Sequence, residues 1–202
     1  MNIGTDSISG RKVVFENILE EIPGGVSLEV VTRLDYTAAG KEYLKAGAPV
    51  YVDLSTRIAE LCKSTLSSVA IDATHLYVPA GHHFLVGDSI TDGSFCRIIS
   101  AISASGTTHD VITIPSGLVI TAGTKYLEAA AGAASAYSTS LAYTPNGLTK
   151  HDVYIADGNA DVAVVKIGTV REDALEYPLP SIYKVALRGG TSGTGTSLIN
   201  VV

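Results

Sequence analysis

The chain has 202 residues, a formal net charge of −6, 46% hydrophobic residues and only 17% charged residues. This length suits one all-β domain or two small domains, and the low charge with a high apolar fraction excludes a disordered chain. The acidic balance argues against nucleic acid as a partner, because phosphate binding needs clustered Lys and Arg. We see neither a run of about 20 apolar residues nor the apolar core of a signal peptide, so we expect no membrane partner and no secretion signal.

The first 25 residues are predicted to form an N-terminal arm with a short helix. Apolar residues recur at a helical period in residues 12–22, with acidic residues on the other face, and Pro23-Gly24-Gly25 ends the segment. A helix this short needs a surface to dock on. That surface is either the arm's own domain or a neighbouring subunit.

From residue 26 to residue 188, short runs rich in β-branched residues alternate with turn residues. Ala-Gly, Pro-Ser-Gly and Asp-Gly recur between runs such as residues 75–81 and 161–170. This pattern predicts an all-β fold, either a β-sandwich or a β-barrel-like module of short strands, with a break into two subdomains near residues 130–150 as an option. Residues 189–202 are predicted to be a Gly/Thr linker and a terminal strand, which together form a C-terminal tail.

Some features do not follow the β pattern. Residues 55–68 fit either a helix or a strand, and the strands on both sides favour a strand. Residues 126–143 are rich in Ala and Ser and are interpreted as a loop or a poorly packed strand. Without a secretion signal, Cys62 and Cys96 are interpreted as buried small apolar side chains rather than as a disulfide.

One stretch is similar to an enzyme motif. Residues 86–93, VGDSITDG, resemble the first block of the SGNH (GDSL) esterase family, in which the serine after Gly-Asp, here Ser89, is the nucleophile. The resemblance implies a later Asp-x-x-His base, and a serine hydroxyl needs such an aligned base. Neither His109 nor His151 has an Asp three positions before it. We therefore interpret the stretch as a β-turn around a short strand, with Ser89 as a decoy, and expect no catalytic residues.

No metal or cofactor site is predicted either. His82 and His83 are adjacent, so on a strand their side chains would point to opposite faces and could not bind one ion. Residues 157–161 begin like a calcium loop but lack its later Gly and Glu, so a hairpin turn is predicted. Residues 189–195 lack the Gly-Lys-Ser/Thr of a phosphate loop.

Several stretches, taken in chain order, resemble a family of bacteriophage head proteins. The family comprises the capsid decoration, auxiliary capsid and head-fiber proteins of phages of gut Bacteroidota, and the resemblance spans roughly residues 26–202. The stretches are YLKAGAPV (43–50), PAGHHFLVGD (79–88), DVITI (110–114), TPNGL (144–148) and VVKIGTVREDALEYPLP (164–180).

The resemblance implies a non-enzymatic structural protein on the outer capsid surface of a virion. Its partners would be the major capsid protein, further copies of itself in a homotrimer, and in some cases another head-fiber protein. Such a protein stabilises the capsid lattice by binding alone, so no cofactor is implied. Two alternatives remain open: a glycan-binding fiber module for attachment to the host surface, and a serine esterase that uses Ser89.

Contacts with other subunits or with the capsid are predicted in residues 177–183, YPLPSIY. The prolines hold an extended backbone, and the tyrosines and leucine offer contact area at low entropy cost. The segment could instead close the core of its own domain. The candidate contacts are Tyr177, Pro178, Leu179, Pro180, Ile182 and Tyr183.

Overall fold

A computed structural model describes residues 13–37, 40–70, 72–104, 108–116, 120–130, 140–189 and 197–202. Over these ranges the chain forms eighteen short strands, a 3₁₀ turn (Glu172–Ala174) and one helix, α1 (Ser181–Leu187), which confirms the all-β prediction. In chain order the strands are β1 (Phe15–Glu21), β2 (Val26–Leu28), β3 (Tyr43–Leu44), β4 (Pro49–Asp53), β5 (Ile58–Leu61), β6 (Ser64–Leu66), β7 (Val69–Ala70), β8 (His75–Pro79), β9 (Ser89–Thr91), β10 (Cys96–Ile98), β11 (Ala101–Ala104), β12 (His109–Thr113), β13 (Lys125–Ala129), β14 (Gly147–Thr149), β15 (Val153–Tyr154), β16 (Ala160–Val162), β17 (Val164–Val170) and β18 (Leu198–Val201).

The largest sheet, which we call the main sheet, joins segments from both halves of the chain. Seven of its strands follow the order β1-β17-β14-β4-β5-β2-β16, and β18 joins β17. Most neighbours are antiparallel, whereas β2 with β5 and β17 with β18 are parallel pairs. The sheet curls into a half-barrel. A separate two-stranded sheet pairs β3 with β15.

The strands β6 to β13, residues 64–129, form a second region that we call the inserted unit. They make two four-stranded antiparallel sheets, β10-β9-β13-β6 and β11-β12-β8-β7. Among the described residues, none of these strands pairs with a strand of the main sheet. The chain therefore leaves the main sheet after β5 and returns to it at β14.

Three hydrophobic clusters support these sheets. The first lies on the main sheet and includes Leu28, Val30, Leu44, Val50, Ile155 and Val164. The second, the helix-covered cluster, packs the α1 side chains Tyr183 and Leu187 with Leu148, Val170, Leu179 and Ile199. The third lies within the inserted unit and consists of Leu76, Val78, Phe84, Ile90, Ile99, Ile112, Ile114 and Tyr126.

The helix predicted over residues 12–22 is wrong, because Phe15–Glu21 forms strand β1, antiparallel to β17. The register of this pair shifts at three places, so β1 does not alternate regularly between its two faces. The side chains of Phe15 and Ile18 are half-buried and that of Ile22 is buried, at a spacing that imitates a helical period. This part of the arm therefore lies on its own domain.

The ambiguous stretches resolve as strands. Residues 55–68 contain β5 and β6, which confirms the favoured alternative. The loop or poorly packed strand expected from residue 126 is wrong at its start, because Tyr126 is fully buried in β13, while residues 131–139 lie outside the described residues. The terminal strand is confirmed as β18, and the linker prediction for residues 190–196 lies outside the described residues.

Candidate functional site

The predicted contact segment lies mostly inside the protein's own core. Tyr177 packs in the first cluster, and Leu179 and Tyr183 are fully buried in the helix-covered cluster. Pro180 is also buried, and Pro178 is half-buried. Ile182 on α1 is 41% exposed, so it is the one member that offers substantial surface. Most of the other members pack in the core of their own domain, so the contact prediction for this segment stays a prediction.

Ser89 begins strand β9, and a turn lies on each side of this strand, as predicted. Gly87 and Gly93 flank β9 with positive φ angles of 96° and 94°, which glycine adopts without strain. The Asp92 carboxylate accepts hydrogen bonds from the backbone amides of the two residues after Gly93. Ser89 is 4% exposed, so its hydroxyl is buried rather than presented to solvent. Among the described residues, no histidine lies in hydrogen-bonding contact with the Ser89 hydroxyl.

The remaining motifs are also structural. Residues 157–159 form a turn that leads into β16, with Gly158 at φ 102°, and the Asn159 side chain accepts a hydrogen bond from the Val30 amide. The hairpin prediction is wrong, because the flanking strands β15 and β16 pair with β3 and β2 rather than with each other. Within the described ranges, no three His, Cys, Asp or Glu residues are grouped so that they could hold a metal ion. Cys62 and Cys96 are both buried and free, as predicted.

An exposed aromatic pair lies on the sheet of β3 and β15. Tyr43 and Tyr154 are cross-strand partners, their ring centroids are 5.1 Å apart, and they are 48% and 46% exposed. The Lys45 ammonium lies 5.4 Å from the centre of the Tyr43 ring and 3.3 Å from the Asp152 carboxylate. We call these four residues the tyrosine ribbon. Tyrosine is enriched where proteins bind partners, because its ring is apolar and its hydroxyl is polar.

A groove of about 770 Å³ adjoins the tyrosine ribbon and shares Lys45 and Asp152 with it. Val13, Val14 and Phe15 contribute apolar surface to the groove, while other lining residues are charged or polar, namely Lys150, His151 and Glu176. This surface was not predicted from the sequence. The available signal was the pair Tyr43-Leu44, in which Leu44 is fully buried and its neighbour on the opposite face is a tyrosine.

Buried charges lie where the inserted unit meets the rest of the chain, a region that we call the charged junction. Lys41 and Lys63 are each 2% exposed. The Lys41 ammonium lies 3.2 Å from the Asp35 carboxylate and 3.1 Å from the Asp110 carboxylate. The Lys63 ammonium lies 2.5 Å from the Asp88 carboxylate. Buried charges persist in folded proteins only when they are paired in this way.

Glu128 extends the charged junction toward the main sheet. Its carboxylate lies 3.4 Å from the Lys63 ammonium and 3.5 Å from the Arg33 guanidinium. Arg33 also lies 3.3 Å from Glu60 and stacks over the Tyr143 ring at 4.7 Å. Burial raises the pKa of both glutamates, and their basic partners offset part of that effect.

Two histidines complete the charged junction. They follow β8 in a loop rather than on a strand, so the expectation that their rings point to opposite faces of a sheet does not apply. The His83 Nδ1–H donates to the Asp35 carbonyl at 2.9 Å, and its Nε2 lies 3.1 Å from the Tyr177 hydroxyl. His82 Nε2 lies 3.1 Å from the Asp110 carboxylate. Burial lowers the pKa of His82 to about 3 and that of His83 to about 4, so both rings are neutral at pH 7.

Comparison with known families, with curated proteins and with solved structures finds no match for this chain. In the described part of the chain, no helix has the length and apolar character that a bilayer span requires. The fold and its surfaces define an all-β protein with an exposed aromatic ribbon and a buried charged junction.

Proposed function

We propose that the protein is a non-enzymatic structural component of a phage virion. It binds the outer surface of the capsid as a decoration, auxiliary capsid or head-fiber protein, most simply as a homotrimer. The sequence resemblance over roughly residues 26–202 is the starting point of this proposal. The all-β fold agrees with the β-rich module that the resemblance implies.

The observation that carries the proposal at the level of residues is the tyrosine ribbon. Tyr43 and Tyr154 expose two adjacent rings, and the Lys45–Asp152 ion pair borders them. An interface of this kind combines aromatic anchors with a polar rim, and a few such anchors carry most of the binding free energy. We assign the capsid contact to this ribbon rather than to residues 177–183, because most of that segment is buried.

Binding to the assembled lattice is sufficient for the function. A protein that binds the assembled capsid and not the dissociated subunits stabilises the assembly by mass action. A trimer strengthens the effect, because the second and third contacts form at a high effective concentration once the first has formed. No catalytic step is required.

Quantitative mass spectrometry of purified virions tests the proposal. We expect the protein at a copy number comparable to that of the major capsid protein, and its absence from purified particles would end the proposal.

The contact itself is tested by sedimentation of the recombinant protein with capsids that lack it. We expect Tyr43→Ala/Tyr154→Ala to bind at least about tenfold more weakly, which is the loss of one modest anchor. The control Leu54→Ala/Val86→Ala also removes exposed apolar side chains, and we expect it to bind like the wild type.

Glycan binding is the second candidate, and the same ribbon favours it. Exposed aromatic rings beside charged side chains suit a sugar, which has apolar C–H faces and polar hydroxyl groups. A glycan array separates the two functions, because specific hits lost in Tyr43→Ala/Tyr154→Ala would favour this candidate. For the esterase alternative, we expect wild type and Ser89→Ala to be equally inactive toward esters.

A further inference from the structure

The inserted unit meets the rest of the chain through many polar contacts and through one buried apolar side chain, Leu127 of β13, which packs in the helix-covered cluster. Its hydrophobic cluster is separate from the two clusters of the main sheet, and none of its described strands pairs with that sheet. The polar contacts between the two regions include the ion pairs Lys41–Asp110, Lys63–Asp88, Lys63–Glu128, Arg33–Glu128 and Lys125–Glu172, together with the two hydrogen bonds of His83. The stability of a contact built on paired charges depends more strongly on the charge of its side chains than that of an apolar interface does.

Hydrogen bonding fixes where an added proton must go on each histidine. The Phe84 amide donates to His82 Nδ1 at 3.1 Å, so this nitrogen carries no proton and the ring proton is on Nε2, toward Asp110. The Asp35 carbonyl accepts from His83 Nδ1, so His83 Nε2 is the acceptor for the Tyr177 hydroxyl. In both rings the free site for a proton already accepts a hydrogen bond. A proton added to His82 Nδ1 would therefore face the N–H of the Phe84 amide, and the hydrogen bond between them would be lost.

Each histidine also faces buried charges from several segments. His82 faces Asp110 on β12, Lys41 and Asp35 on the segment before β3, Lys63 between β5 and β6, and His83 beside it. His83 faces Asp35, Lys41, Lys63 and the Tyr177 hydroxyl. The carboxylates of Asp35 and Asp110 already pair with Lys41, so they compensate only part of a new positive charge.

A cleft open to solvent reaches His82. This cleft of about 240 Å³ between the inserted unit and the segment before α1 is lined by His82, Gly81, Lys125, Glu172, Tyr177 and Pro178. The cleft is large enough to hold water molecules. The cleft therefore brings solvent next to the His82 side chain.

We propose that the charged junction is an acid-sensitive latch, in which protonation of His82 and His83 releases the inserted unit from the main sheet while each region keeps its own strands paired. The closed latch requires both rings to be neutral. Once both are charged, four buried cations share the carboxylates of the junction, and opening to water relieves their repulsion.

The size and direction of the effect follow from linkage. The closed state holds the pKa of His82 at about 3 and that of His83 at about 4, below the ordinary value of 6.5 that they recover on opening. The closed state therefore loses stability as the pH falls below 6.5. Each histidine raises the opening constant about tenfold between pH 7.5 and 5.5, so together they raise it about 100-fold.

Amide hydrogen exchange at single-residue resolution tests the latch in the full chain. The reporters are the Phe84 amide at the junction, the Ile112 amide in β12 and the β17 amides in the main sheet. After correction for the intrinsic exchange rate, we expect Phe84 exchange to rise about 100-fold between pH 7.5 and 5.5. We expect Ile112 and β17 to change little. A rise of all three reporters together would mean global unfolding and would overturn the proposal, as would a constant Phe84 rate.

Histidine variants assign the pH dependence to its source. We expect the rise to drop to about tenfold in His82→Gln or His83→Gln and to disappear in the double variant. His75→Gln is the matched control, because His75 lies on β8 of the same unit but is partly exposed, and it should behave like the wild type. An unchanged rise in the double variant would contradict the proposal. If that variant does not fold, the comparison of reporters in the wild type still decides the question.

Discussion

The main sheet and the inserted unit are built in opposite ways. The main sheet needs distant parts of the chain, since β1 and β18, near its two ends, both pair with β17. The inserted unit uses one continuous stretch, residues 64–129, and all its strand pairs lie within that stretch. A destabilising substitution in the main sheet should therefore lower the stability of the whole chain, whereas one in the inserted unit should affect that unit alone.

The largest expected effect comes from removing one buried side chain in each region. Phe84→Ala in the third cluster should cost about 3–5 kcal/mol and Leu148→Ala in the helix-covered cluster about 2–5 kcal/mol, because both side chains are fully buried. Hydrogen exchange then separates their consequences. We expect Phe84→Ala to expose β8 and β12 while β17 stays protected, and Leu148→Ala to reduce protection throughout. Loss of β17 protection in Phe84→Ala would show that the two regions unfold as one.

A smaller loss of stability is expected from a glycine-to-alanine substitution, which we compare at one position in each region. An added Cβ at Gly168 in β17 would lie 2.5 Å from the Asn17 carbonyl oxygen of β1, so Gly168→Ala must push these strands apart. We expect a loss of about 1–3 kcal/mol in a urea titration, which is typical of overpacking. Gly81→Ala in the inserted unit is the control, because a Cβ there meets nothing within 4 Å. Equal stability of the two variants would mean that β1 moves aside without cost.

The β architecture was predictable from sequence where strands alternate regularly. In β8 the buried Leu76 and Val78 alternate with more exposed neighbours, which is the period that the sequence analysis used. β1 was misread because its register shifts break this period and imitate that of a helix. The turns before and after β9 were predictable because Gly and Asp favour turns locally, through their own backbone.

The charged junction could not be predicted from sequence. Lysines are ordinarily exposed, and nothing near Lys63 in sequence marks it as buried. Its partner Asp88 is 25 positions away, and Arg33 is 95 positions from Glu128. Only the folded chain brings these charges together. The burial of residues 177–183 could not be predicted from sequence either, because their composition fits a contact surface as well as it fits the core.

The smallest expected effect is a difference in thiol labelling rate between the two cysteines, which can be measured in the unmodified chain. Cys96 lies on β10, an outer strand of the inserted unit, and Cys62 lies in the helix-covered cluster. Burial raises the pKa of both thiols, so neither should react with a thiol reagent in the native state. In urea below the main transition, opening of the inserted unit exposes Cys96 alone. We expect Cys96 to be labelled about tenfold faster than Cys62, which corresponds to about 1.4 kcal/mol between the two opening reactions.

The variants Cys62→Ala and Cys96→Ala assign each labelling rate to its thiol. Fitting the rates against urea concentration gives the surface exposed in each opening, which should be smaller for Cys96 because a local opening exposes less chain. Equal rates with equal urea dependence would mean that both thiols become accessible in one global event. The charged junction would then couple the two regions tightly at neutral pH.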